Sequence, residues 1–357
     1  MESMKRWSGR RRFAFALACL AVIATSPAWA GGAPSGHAPI GVMGDHTHAP
    51  GELMFSYRYM RMGMDGLRDE DERISGNKVL GEFMVTPTSM DMDMHMFGAM
   101  YAPIERLTLM VMVPYFELEM EHRTGMNVRF TTRSEGVGDV RAGGLIDLWS
   151  SGGSGAHAHG SGSDGTTRHK VHANVMFSFP TGSITIEDRT PAMGGARVRL
   201  PFPMQIGSGT YDFLPGLTYN GRNGQIAWGA QGRGEIRLNE NHGEYRQGNE
   251  YALTAWGAYD WNRWISTSLR AEWQHSLNFR GSAQAVGPAP TIPTKDPGRR
   301  AFQRLDFLAG VNLIVPEGAF SGLRFAVEAG VPAYQYLDGP GLETDYVFTV
   351  GVQYAIQ

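Results

Sequence analysis

The chain predicts an all-β fold, an antiparallel up-and-down transmembrane β-barrel of about twelve strands, and three observations predict it. Long helical periodicity is missing, and 47 glycines are spread through 357 residues. From Gly51 onward, short runs rich in Tyr, Phe, Val, Leu, Trp and Met alternate apolar with polar side chains at a period of two. Most of these runs approach the roughly 9–11 residues of a tilted membrane strand, and the joins between them alternate between short turns and longer polar loops.

The elements follow in order. Basic Lys5, Arg6 and Arg10 to Arg12 precede the apolar run "FAFALACLAVIATS" and Ala28-Trp29-Ala30, the layout of a secretory signal peptide over residues 1–30. Residues 31–50 then read as a flexible, histidine-containing periplasmic segment, and residues 51–357 as the barrel. Its expected strands are Leu53–Met62, Met90–Ala102, Leu107–Leu118, Gly136–Trp149, His169–Phe179, Tyr211–Asn220, Gln225–Leu238, Tyr251–Trp261, Trp264–Ser276, Phe302–Val315, Leu323–Tyr336 and Asp345–Ile356. Joins such as "PIER", "GRNG" and "NR" read as short periplasmic turns. The joins after the first, third, fifth, seventh and ninth strands are longer and read as outer loops. The even count returns both termini to the periplasm.

Composition narrows the function. Removing the leader removes the single cysteine, Cys19, and with it any thiol nucleophile, disulfide or thiolate metal site. It also leaves 27 basic against 34 acidic residues, a balance that argues against a nucleic-acid partner. His275 and Ser276 lie near Asn278, but adjacent strand residues point to opposite faces and cannot act as base and nucleophile together. No enzyme activity is expected.

Alternation assigns the faces. In Trp264–Ser276, Ser266, Ser268, Arg270, Glu272 and Gln274 alternate with Ile265, Thr267, Leu269, Ala271 and Trp273. The polar set is expected to face the lumen and the apolar set lipid. Across the chain the expected lumen lining comprises Arg58, Asp93, His95, Phe97, Tyr101, Met110, Met112, Asp139, Arg141, Arg233, Glu235, Arg270, Glu272, Arg304, Asp306, Arg324 and Glu328. Both signs occur, often two positions apart, so charges can pair between neighbouring strands. A mixed lining does not suit a strongly ion-selective pore.

Methionine is uneven. Fifteen of twenty lie between Met43 and Met126, and "SMDMDMHM" places them at alternate positions. If "PIER" is a four-residue turn, Ala102 faces Leu107 and Met96 faces Val113, so the stripe joins Leu and Val on the lipid side. Met60, Met62 and Met64 share parity with Ser56 and Arg58 and are expected to look inward or into the first outer loop. Thioethers suit soft ions such as Cu(I), and they also suit an adaptable apolar passage.

Histidine suggests another chemistry. "GDHTH" supplies Asp45, His46 and His48, and "AHAH" adds His157 and His159 on a Gly/Ser tract. Imidazole with carboxylate binds Zn, Cu(II) or Ni(II), and a flexible tract chelates them weakly; no resident cofactor is expected.

Three stretches, "GVMGDHTHAPGELMFSYRYMRMGMDG", "MFGAMYAPIERLTLMVMVPY" and "EGVGDVRAGGL", resemble the opening of outer-membrane transporters related to the MetA-pathway of phenol degradation family. The resemblance covers about Gly41–Leu148. It implies a β-barrel in the outer membrane of a Gram-negative bacterium, a transport role and no catalytic residues. The chain departs from common barrel practice in ending on Gln357 rather than an aromatic residue. The expected function is a passive channel for small, aromatic or otherwise apolar molecules. Its partners would be outer-membrane lipid and lipopolysaccharide, the barrel-assembly machinery and the small-molecule substrate. The alternatives are a periplasmic-side metal-binding or metal-export accessory barrel and a closed structural barrel.

Overall fold

The computed structural model describes residues 33–151, 167–191, 194–281 and 291–356. The leader, His157, His159 and Gln357 lie outside these residues. Eleven strands form the wall: β1 Leu53–Glu70, β2 Val85–Ile104, β3 Leu107–Thr124, β4 Val140–Ser150, β5 Arg168–Phe179, β6 Asp212–Asn223, β7 Ile226–Arg237, β8 Glu250–Asp260, β9 Ile265–Ser276, β10 Phe302–Ile314 and β11 Arg324–Ile356. Sequence neighbours are sheet neighbours, and β11 pairs with β1 to close the barrel. Among the described residues no helix is long and apolar enough to cross a membrane.

The last strand resolves an apparent parity problem. An antiparallel circuit that closes on itself needs an even number of crossings, because an odd one would meet parallel at the seam. Yet the 33 residues of β11 pair antiparallel with β10 through Arg324–Leu337 and antiparallel with β1 through Leu337–Ile356. Its two halves therefore run in opposite directions. Gly339, at φ 94°, lies at the reversal. Gln335 clasps Thr344 across it, donating to the Thr344 carbonyl and accepting from its amide, each at 2.8 Å. The wall is crossed twelve times, as the alternation predicts, with both ends of the barrel chain at the short-turn end.

Strands β1, β2 and β3 hold 18, 20 and 18 residues, well beyond what a bilayer requires. Beyond the ends of the expected strands the outward positions are polar, at Ser89, Glu119 and Glu121, so the apolar contrast that marks a membrane strand is lost although the ladder continues. Arg129–Val137 pairs with the upper half of β3, and β4 pairs with its lower half.

The faces of β9 agree with the alternation: Leu269 is 72 % exposed, whereas Ser268 and Arg270 are buried. Phe55, Val111, Leu217, Leu253, Phe307 and Val331 are also exposed on the outside. An apolar belt of this extent is a surface made for lipid.

Strand β2 corrects the sequence reading. Met100 pairs with Met110 and Met96 with Pro114, one residue away from the register a four-residue "PIER" turn would give. The ladder shifts between Tyr101 and Ile104, where Pro103 brings no backbone donor. A slip of one residue exchanges the two faces. The methionine stripe therefore faces the lumen, with Met90, Met94, Met96 and Met100 buried. Phe97 and Tyr101 face outward, 50 % and 45 % exposed, and Asp93 and His95 share their face. Outward Tyr57 bonds His95 at 2.8 Å, and Tyr59 donates to Asp93, which also pairs with Arg61. These four residues do not line the lumen.

The segment before β1 is likewise not a free periplasmic tail. From Pro34 to His48 it runs inside the barrel, with Ile40, Val42, Asp45 and His48 buried. At the opposite end the long loop between β5 and β6 turns inward, and its Leu200, Met204 and Ile206 pack on Met90, Leu118 and Met120.

Reversing one lipid-facing side chain tests the face assignment. Leu269→Arg is expected to cost about 2–4 kcal/mol of folded barrel at the bilayer midplane, whereas Leu269→Met should fold like the parent. Heat-modifiable gel mobility after membrane extraction reads the folded fraction. Equal folding of the two variants would contradict an outward Leu269.

Candidate functional site in the barrel lumen

Two unlike surfaces line the lumen. On β1 to β3 the inward positions carry methionine in cross-strand pairs: Met54 with Met100, Met60 with Met94 and Met62 with Met92. Met100 continues the sheet to Met110 and Met90 to Met120. Met54, Met94, Met96, Met100, Met110, Met112 and Met176 form one packed cluster with Leu145. Unbranched thioethers make such a wall apolar and adaptable.

Round the rest of the circuit, β7 to β11 present ionised side chains, joined by Arg58 of β1 and Arg141 of β4. Arg270 forks onto Glu328 at 2.8 and 2.9 Å and reaches Glu272 at 2.8 Å, while Glu272 also accepts from Arg233 at 3.0 Å. Arg304 pairs with Asp306 at 3.0 Å, and Arg141 and Arg237 converge on Glu235 at 3.0 and 2.6 Å. Bidentate and shared pairs of this kind satisfy charges that would be costly to bury alone. Arg58, Arg141, Arg233, Glu235, Arg270, Glu272, Arg304, Asp306, Arg324 and Glu328 are thus brought together inside, as the alternation predicts. Asp139 stands at the loop end instead: its carboxylate accepts from the Gly182 amide at 2.9 Å and the Ser208 amide at 2.7 Å.

The N-terminal plug lies between the two surfaces, and the lumen's own side chains satisfy its backbone. Asp260 accepts from the Ser35 amide at 2.8 Å, Arg324 donates to the Ala38 carbonyl at 2.6 Å, and Glu328 accepts from the Gly41 amide at 3.0 Å. Gln231 donates to the Met43 carbonyl at 2.9 Å and Asn220 to the Asp45 carbonyl at 2.8 Å. A Cβ at Gly41 would collide with the Glu328 carboxylate and the Arg270 guanidinium, so any other residue there would require that ion pair to shift. Sequence reasoning missed the plug. The available signal was "PIGVMGDHTH", where apolar Ile40 and Val42 stand between glycines just before a barrel full of inward Asn and Gln.

Within the plug, His37, Asp45 and His46 converge, and His48 lies beside them. Burial would raise the Asp45 carboxyl, but the adjoining His46, with smaller contributions from His37 and Arg324, holds it well below the usual carboxylate range. Burial lowers His48 against the partial support of Glu52, 3.2 Å away. Of the expected metal ligands, Asp45, His46 and His48 are together.

Above the plug an open-ended cavity of about 110 Å³ remains, lined by Met110, Met112 and Met176, by Arg141, which pairs with Met112 in the ladder, and by Arg233 and Glu235. It reaches Pro215 and Gly234, where the β6–β7 ladder skips from Phe213 to Gly216.

Glu328 joins wall and plug, so its removal should be felt in both. Glu328→Ala leaves Arg270 buried with one carboxylate fewer and is expected to cost about 3–5 kcal/mol. Urea titration in detergent, followed by tryptophan fluorescence, measures the loss, and an unchanged midpoint would show that the pair bears little weight.

No family model matches the chain, and no curated protein matches it. Among solved structures it is similar to the COG4313 outer membrane channel from Pseudomonas putida F1, with 11 % identity, a TM-score of 0.58, and 88 % of this chain and 99 % of that one covered. The KdgM porin aligns over 85 % of this chain and 99 % of its own, at 10 % identity and a TM-score of 0.35. The transport unit of the autotransporter AIDA-I from Escherichia coli covers 88 % and 93 %, at 10 % identity and a TM-score of 0.40. At such identities the likeness is one of fold, and the fold is that of an outer-membrane β-barrel channel.

Proposed function

We propose that the protein is a passive outer-membrane channel for small molecules with apolar, including aromatic, parts, with its long loops outside, its short turns in the periplasm and its plug inside the lumen. The observation that carries this reading is a lumen cavity lined both by methionines, Met110, Met112 and Met176, and by the charged Arg141, Arg233 and Glu235. The first offers a surface on which an apolar group can slide, and the second offers polar groups that orient a substituent. The resemblance to transporters related to the MetA-pathway of phenol degradation family supports a transport role, and the likeness to a COG4313 outer membrane channel supports the same architecture. Lipid and lipopolysaccharide would cover the apolar belt, and the barrel-assembly machinery would insert it. The reading assigns no catalytic residue.

Planar-bilayer recording and liposome uptake test this proposal. Deleting residues 34–47 should raise conductance severalfold, because the deletion vacates the lumen without touching a wall strand. Met110→Asp with Met112→Asp should reduce uptake of a small aromatic acid relative to a sugar acid of similar size. Absence of conductance in both parent and deletion, with the barrel folded, would favour a closed structural barrel.

A further inference from the structure

The plug carries a cluster that conduction does not require. His37 Nδ1 and His46 Nδ1 stand 3.4 Å apart, and Asp45 Oδ1 lies 2.9 Å from His46 Nδ1. One ligand atom from each residue lies within 4.8 Å of the others. Two nitrogens bound to one tetrahedral metal at about 2.0–2.1 Å are about 3.3–3.4 Å apart, so the two imidazoles already have the spacing of a shared ion. At the same bond lengths the oxygen–nitrogen separation of 2.9 Å corresponds to an angle of about 90°, so the set is an irregular one that does not choose among Zn, Ni and Cu(II).

The surroundings are built to hold this arrangement. The second oxygen of Asp45 accepts from the Ala38 amide at 2.9 Å, which fixes the carboxylate and leaves the first oxygen toward the histidines. Gly44, at φ 61°, turns the chain before Asp45, and its carbonyl lies 2.9 Å from His172 Nε2 and 3.2 Å from Asn174 Nδ2. Buried His48 is adjacent, its ring 4.8 Å from that of His46, and its Nε2 finds no hydrogen-bond partner among the described residues. Glu52, 3.2 Å from His48 Nδ1, gives that ring the carboxylate partner usual behind a metal-ligating histidine.

We infer that His37, Asp45 and His46 form a site for one divalent transition ion of the Zn, Ni or Cu(II) class, with His48 as the adjacent further donor, and that the ion clips the plug inside the lumen. The clip joins His37 to Asp45 and His46, closing a short loop that contains the Gly41 contact with Glu328. Because every ligand belongs to the plug, closing the loop removes extended conformations of the plug itself and so favours the folded form that Glu328 and Arg324 hold in the lumen. The site stands on its own geometry. Its effect on permeation rests on the channel reading above.

The test uses the detergent-purified full barrel, stripped with a chelator and titrated with Zn²⁺, Ni²⁺ and Cu²⁺ as their chlorides. Calorimetry should show one ion per barrel, and Trp256 fluorescence should respond because that ring packs on Ala38 and Val42 of the plug. His37→Ala and His46→Ala should each weaken binding tenfold or more, whereas the double variant His157→Ala/His159→Ala should keep it. If His46→Ala fails to fold, the less buried His37→Gln decides. Failure of the parent to bind any of the three ions, or undiminished binding in the His37 variant, would overturn the site. Binding lost only with His157 and His159 would do the same. Metal should also lower conductance, with chelator restoring it. Binding without that change would overturn the clip alone, and a folded, metal-binding barrel that never conducts would instead overturn the channel.

Discussion

The seam between β1 and the second half of β11 is the constraint on which the rest depends. From Leu53 opposite Ile356 to Glu70 opposite Leu337, it pairs the first strand with the last and leaves the circuit without an edge. A sheet that cannot expose backbone donors and acceptors to hydrocarbon must close in this way. Closure then fixes the number of crossings, and the period of two fixes which side chains are inside. What remains is an interior problem: a lumen enclosed by one chain has to be lined, paired or filled by that chain.

The structure answers it with three materials. Methionine covers the first strands, paired charges cover the seventh to the last, and the N-terminal segment occupies the space between them. The charges do not form a separate layer: Arg324 and Glu328 bind the plug backbone as well as the wall. Wall and plug are therefore coupled through a few side chains whose partners lie 287 and 286 residues apart in sequence.

Legibility followed the strength of the local alternation. In β9 every even position is polar and the assignment of Leu269 outward and Arg270 inward could be read directly. In β2 both faces are ambiguous, because Met, Asp, His and Phe offer no clean contrast and the decision fell to a turn. The shift at Ala102 and Pro103 then exchanged the faces, moving Asp93, His95, Phe97 and Tyr101 out and the methionines in. The methionines of β1 were placed correctly since they share parity with buried Arg58. The plug was illegible for a different reason. It makes no periodic pattern, and its backbone partners, such as Asp260, Glu328 and Gln231, come from strands far along the chain. The convergence of His37 with Asp45 and His46 is equally a product of the plug's path, which spacing along a flexible tract does not reveal.

The methionine wall has a consequence in oxidation chemistry. Each thioether that gains an oxygen becomes a sulfoxide, a strong hydrogen-bond acceptor with a stereogenic sulfur, in place of a soft apolar group. Met54 lies opposite Met100, and Met100 opposite Met110, so oxidation at one position would set a new dipole against its neighbours across the ladder. Buried on the inward face, these sulfurs are reached through the lumen rather than through lipid. The plug and the inward-turned loop thus also stand between peroxide and these side chains.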